Sequence, residues 1–156
     1  MGIFDLISKG AQKAIVSQMN SFYSQNKNKT MGGRTADQWD SSEMNIGILG
    51  TLQGNLTSYN SCVGVYKAYH RGKLVYIGRA IELNNGGFRK RLTDYIRESD
   101  SARGTGSSSK MNMYKNEINI GIIVVGTDEK AIEITKQLEK MLIGKYRPEW
   151  NVEFNR

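Results

Sequence analysis

Apolar positions recur at helical spacing near the start of the chain. Ile3, Phe4, Ile7, Ala11, Ala14, Ile15, Gln18 and Phe22 line one side of a helical wheel, with Lys9, Lys13 and Ser17 opposite. This predicts an amphipathic helix over residues 3–23, weakened at Gly10, which costs about 1 kcal/mol relative to Ala inside a helix. The face is short and interrupted, so it suits docking on a domain better than lying on a membrane. Residues 26–59 then lose the pattern. They are rich in Asn, Ser, Thr and Gly, with apolar runs as short as 46–49, and read as a polar linker or extended wrap with one short helix near 36–39.

A regular pattern follows. Residues 63–69 and 74–77 are β-branched and aromatic runs separated by His70-Arg71-Gly72-Lys73, which predicts a β-hairpin. Residues 88–97 have helical spacing, and residues 99–109 form a low-complexity loop of Ser, Gly and Arg103. Residues 118–125 are apolar on both faces, as a central strand requires. A long helix is predicted over residues 128–146, capped by Thr127 or Asp128 and stopped before Pro148. Its wheel buries Ile134, Leu138, Met141, Leu142 and the stem of Lys145, with Glu139 at the border and Glu129 and Glu133 in solvent. The fold class is α/β (α+β): a small mixed or antiparallel sheet in β-β-α-β-α order over residues 61–156, flanked by helices. A helical and polar arm over residues 1–60 precedes it.

Charge changes this picture by giving the domain a partner. Across 156 residues, 22 Lys and Arg oppose 15 Asp and Glu, a net +7. Such an excess points to a polyanion. It is uneven: residues 1–60 hold five basic and four acidic groups, residues 61–156 hold 17 and 11. Between residues 67 and 97 stand Lys67, Arg71, Lys73, Arg79, Arg89, Lys90, Arg91 and Arg97 against Glu82 and Asp94 alone. The expected nucleic-acid contacts are therefore Lys67, Lys73, Arg79, Arg89, Lys90 and Arg97, with Arg103 from the loop.

Scarcity excludes more. One cysteine, Cys62, and one histidine, His70, cannot supply a structural zinc site, a disulfide, a CxxC redox pair or a multi-histidine metallonuclease. Cys62 is expected as a small buried apolar residue, and His70 as an exposed, idle residue at the hairpin tip. No run reaches the length of a membrane span, the start lacks a secretory pattern, and Leu6 stands where a myristoylation motif needs Ser or Thr. A cytoplasmic chain without stable membrane association is expected.

The hairpin reads Gly64-Val65-Tyr66 and Tyr76-Ile77-Gly78, with its tyrosines ten residues apart. Arg79-Ala80 follows, then Arg89-Lys90-Arg91-Leu92 and Tyr95. Near the end come Glu139 and Asn151, with Tyr146 and Pro148 between them. From Cys62 to Asn151 this succession resembles the GIY-YIG nuclease superfamily. Its last part is similar to the Glu-helix in the nuclease domain of the bacterial excision-repair enzyme. The segment from Glu82 to Gly87 puts Arg91 fifteen residues after Tyr76, further than is usual in the family, and reads as a loop insertion. Arg89 and Arg91 both compete for the family arginine; Arg91 keeps the helical offset to Tyr95.

The resemblance implies a divalent-metal-dependent endonuclease acting on DNA, leaving 5′-phosphate and 3′-hydroxyl ends. Tyr66, Tyr76, Arg91 and Glu139 would be catalytic, with Glu139 holding Mg²⁺ (or Mn²⁺), and Arg79, Tyr95 and Asn151 would support them. The chemistry agrees. One carboxylate suffices for an ion that keeps most of its waters, and an arginine fork suits a phosphate. Tyrosine ionises near pH 10 unless cations favour the phenolate, so either Tyr66 or Tyr76 needs such neighbours to act as base. Asn151 is expected to tie the chain back to the hairpin, and Gly64 and Gly78 to permit close packing. The alternative is a nucleic-acid-binding module of the same fold that does not cut. Sequence-specific cutting would need the arm, the 99–109 loop or a homodimer to read bases.

Overall fold

The computed structural model describes residues 9–52, 54–84, 86–97 and 106–154. Helix α1 (Lys9–Asn26) leads into a two-residue-per-strand hairpin, β1 (Thr30–Met31) and β2 (Arg34–Thr35), and a short helix α2 (Ala36–Asp40). The start of the expected first helix, residues 3–8, lies outside the described residues. Helix α2 begins on a capping box. Thr35 Oγ1 accepts from the Gln38 N–H at 3.2 Å, and Gln38 Oε1 accepts from the Thr35 N–H at 2.8 Å.

Strand β3 (Met44–Ile48) comes next, followed by β4 (Val63–His70), β5 (Lys73–Ala80), α3 (Gly87–Ile96), α4 (Ser107–Met113), β6 (Ile118–Gly126), α5 (Glu129–Tyr146) and α6 (Glu149–Phe154). The main sheet is antiparallel in the order β3-β6-β4-β5. Two expectations change here. Part of the polar wrap is the edge strand β3, paired along β6 from Met44↔Ile122 to Ile48↔Asn119. The last serines of the low-complexity loop open α4.

The β4–β5 turn places Arg71 (φ 54°) and Gly72 (φ 78°) both in the left-handed region, as a two-residue turn matched to strand twist requires. Along this pair Ala68 faces Tyr76 while Tyr69 faces Leu74, so Val75 is an extra residue that bulges β5.

Each sheet face is covered. Tyr66, Tyr76, Ile120 and Ile122 pack with Phe88, Leu92 and Tyr95 of α3. Val65, Ile77 and Ile123 pack on the other face with Leu138, Met141 and Leu142 of α5. At the border position the sequence assigned it, the Glu139 side chain is 19% exposed. Asp128 caps α5, its side chain accepting from the Ala131 N–H, and Arg147 ends it at φ 47° before Pro148.

Helix α1 docks on α5 through a close backbone approach. A Cβ on Gly144 would stand 2.0 Å from the Met19 carbonyl oxygen, and Asn20 Nδ2 donates to the Gly144 carbonyl at 2.8 Å. No described helix is long and apolar enough to cross a membrane.

Candidate active site

A cleft of about 420 Å³ opens beside β5, where the sheet edge meets α3 and α5. Strand alternation sorts its residues. Tyr76 pairs with Ala68 and lies on the α3 face, beside Tyr66. Arg79 pairs with Val65 on the α5 face and meets Glu139, Nη1 to Oε1 at 3.7 Å. Arg91, Lys90 and Asp94 reach the cleft from α3, and Ile81 and Glu82 from the connection after β5. Three residues apart in the regular part of β5, Tyr76 and Arg79 reach the same opening from opposite faces.

Behind the cleft wall lies a hydroxyl and guanidinium cluster. Tyr66 is fully buried. Its hydroxyl stands 2.6 Å from the Tyr95 hydroxyl and accepts from Arg91 Nε at 3.3 Å. The Tyr66 ring centroid is 6.2 Å from that of Tyr76 and 6.0 Å from that of Tyr95. Only glycine fits opposite: a Cβ on Gly78 would lie 2.3 Å from Tyr66 Cζ. Burial, then the neighbouring Tyr95 and Tyr76, push the Tyr66 phenol well above its ordinary range, and Arg91 only partly opposes this. Arg91 is held firmly protonated, by Tyr66 first, against the cost of its own partial burial.

Asn151, buried at 3% exposure on α6, donates from Nδ2 to the Ile77 carbonyl at 2.9 Å and accepts on Oδ1 from the Ile77 N–H at 2.8 Å. It thereby clamps the outer edge of β5 between Tyr76 and Gly78. Edge strands expose such groups, and here a side chain satisfies them.

The charged residues divide. Arg79, Lys90 and Arg91 line the cleft, while Arg89 is exposed outside its lining. Lys73 sits at the hairpin tip, paired with Glu149 at 3.5 Å, six residues along the strand from Arg79 and so roughly 20 Å away. Arg97 is an exposed C-cap of α3 whose carbonyl accepts from Asn112 at 3.1 Å. Arg103 lies outside the described residues.

Lys67 requires a correction. It is 3% exposed, bound to Asp40, and 2.7 Å from Glu43, so it has no surface to offer a phosphate. Strand alternation turns it onto the α5 face, where α2 and the start of β3 supply the carboxylates. Tyr95 is likewise buried behind Arg91 rather than facing the opening. His70 is not exposed: its side chain is 17% accessible and its ring lies 4.7 Å from that of Tyr114. Cys62 is half-buried.

Sequence reasoning misses Glu82 and Asp94 as cleft residues. Asp94 is one turn beyond Lys90 and Arg91, a spacing that puts all three on one helix face. Glu82 lies in the insertion, which the sequence treats as a loop without a role. Among the described residues no group of three or more His, Cys, Asp and Glu converges. Glu139, accessible from the cleft, fits a hydrated Mg²⁺ ion that takes one protein carboxylate and completes its shell with water and phosphate.

Among known protein families, the model of the UvrC-like GIY-YIG domain matches residues 62–152. No curated protein and no solved structure matches the chain.

Proposed function

The chain belongs to the UvrC-like GIY-YIG domain family, a nuclease family, and we propose that it is a divalent-metal-dependent endonuclease that hydrolyses DNA phosphodiester bonds to 5′-phosphate and 3′-hydroxyl ends. One observation carries this reading: Tyr76, Arg79, Arg91 and Glu139, from three different elements, line one cleft.

Each residue has a role that follows from its setting. Tyr76, on the cleft wall, is the general base: as the phenolate it takes the proton from the attacking water. Oxygen–phosphorus bond formation then breaks the bond to the 3′ oxygen, which leaves with a proton from solvent. Tyr66 is not among the residues that line the cleft; its hydroxyl lies between Tyr95 and Arg91, and it positions Arg91 instead. Arg91 binds the non-bridging oxygens of the phosphate as charge builds there, and Arg79 makes a second contact while orienting Glu139. Mg²⁺ (or Mn²⁺) held by Glu139 supplies Lewis acidity to the phosphate when bound.

The test is a cleavage assay with and without divalent metal on single-stranded, duplex and branched DNA, with end mapping of products. Glu139→Ala is expected to abolish nicking while thermal midpoint and DNA binding stay near those of the parent; full residual activity would sink the assignment. Arg91→Ala should lower the rate by about two to three orders of magnitude and Arg89→Ala should have little effect. Salt-dependent DNA binding without metal-dependent product would instead identify a non-catalytic module.

A further inference from the structure

The cleft is electrically balanced: Arg79, Lys90 and Arg91 face Glu82, Asp94 and Glu139. A site for a phosphodiester should carry a surplus of positive charge. Glu139 has a role as a metal ligand in the reading above, but Glu82 has none. It sits in the insertion before α3, and the loop holds it in place. Its carbonyl accepts from the Gly87 N–H at 2.5 Å, the Gly86 N–H donates to the Asn60 carbonyl at 3.1 Å, and the Phe88 N–H donates to the Cys62 carbonyl at 3.2 Å. The Glu82 carboxylate is therefore presented to Lys90, Oε2 to Nζ at 2.6 Å.

We propose that Glu82 is an internal stand-in for a DNA phosphate: its carboxylate occupies Lys90 in the empty cleft, and a phosphate flanking the scissile one must displace it. This rests on the nuclease reading of the same cleft. The pair suits such an exchange. Both side chains are more than half exposed, 51% for Lys90 and 58% for Glu82, so water can enter and the pair separates at small cost. Lys90 stays fully protonated beside Glu82, with Asp94 adding to the effect, and so is always ready to receive an anion. The arrangement discriminates against weak anions. A single small phosphate competes poorly with a tethered carboxylate, whereas a polyanion anchored elsewhere along the strand competes well.

The experiment measures binding of the full chain to fluorescein-labelled single-stranded and duplex oligonucleotides, without divalent metal, over a range of salt. Glu82→Gln should bind roughly two- to fivefold tighter, the most an exposed ion pair withholds. Its plot of log affinity against log salt should keep the parent's slope, because Lys90 meets the same phosphate once Glu82 is displaced. Lys90→Ala should bind more weakly than the parent, and adding Glu82→Gln to it should change nothing further. Unchanged affinity in Glu82→Gln would overturn the proposal. So would equal tightening in the Lys90→Ala background, which would make Glu82 a general negative charge. A parent protein that binds and cuts while Glu82→Gln is unchanged defeats this inference alone. A parent protein with no salt-dependent binding defeats the nuclease reading as well.

Discussion

Tyr66, paired with Gly78, and Tyr76, paired with Ala68, stand two hairpin pairings apart on one face, yet their surroundings differ. Both are buried, Tyr66 fully and Tyr76 to 2% exposure, but the Tyr66 hydroxyl lies between Tyr95 and Arg91, whereas Tyr76 borders the cleft. Tyr76→Phe should therefore lower the cleavage rate by about two to four orders of magnitude, the range of a lost general base. Tyr66→Phe keeps the ring and loses the acceptor of Arg91 and the hydrogen bond with Tyr95, so its rate should fall less. Single-turnover cleavage by the two variants checks the order, and a larger loss from Tyr66→Phe would reverse the assignment. Lys67 behaves as a structural charge. Lys67→Ala removes the buried cation shared by Asp40 and Glu43, leaving Asp40 with Tyr146 and Lys145 and Glu43 with Tyr69, and should cost about 3 kcal/mol. DNA affinity should not change under conditions where the variant is folded. Denaturant unfolding and a binding titration separate the two effects.

Elements with a full period of apolar residues are legible in the sequence. The hairpin announces itself by two β-branched and aromatic runs around a short polar turn, β6 by apolarity on both faces, and α5 by its wheel, which also puts Glu139 at the border. Strand β3 is not legible. It is five residues long, contains Gly47, and one of its faces is partly in solvent, so nothing separates it from a polar wrap until β6 is there to pair with it. Lys67 misleads for a similar reason: its carboxylate partners are 24 and 27 residues earlier in the chain, a contact that sequence spacing does not encode. Helix α1 shows how one atom can decide a packing. Gly144→Ala places a methyl group against the Met19 carbonyl, and should cost roughly 1–3 kcal/mol as overpacking. Proteolysis within α1 should speed up more than proteolysis of the sheet, which limited digestion followed by mass spectrometry would show.

Across the molecule as a whole, a network of charged residues ties the arm to the domain. Asp40 is bound by Lys67 and Tyr146, and Lys145 bridges Asp37 at 2.9 Å and Asp40 at 3.3 Å, joining α2, β4 and α5. Burial raises the cost of ionising Asp40, but the hydrogen bonds from Lys67 and Tyr146 outweigh it, so its carboxyl titrates below the ordinary range. Asp37 is lowered chiefly by its hydrogen bond from Lys145. In both cases the unfolded chain takes up protons first as pH falls. The stabilisation is complete above the unfolded value near pH ~4 and is lost as pH drops through the lower folded values. Urea midpoints should thus be level from neutrality to about pH 5 and fall below about pH 4. Asp40→Asn should be less stable at neutral pH and show a shallower acid decline.

The position of β3 also has a consequence in time. Met44 pairs with Ile122, seventy-eight residues later, so the sheet's outer edge cannot close until β6 has been made. During synthesis the hairpin of β4 and β5, a local structure, forms well before that. Until then β3 has no strand to pair with. Emergence of β6 and α5 then recruits β3, α2 and α1 in one late step. The apolar residues of β3 thus stay without their sheet partner until β6 has emerged.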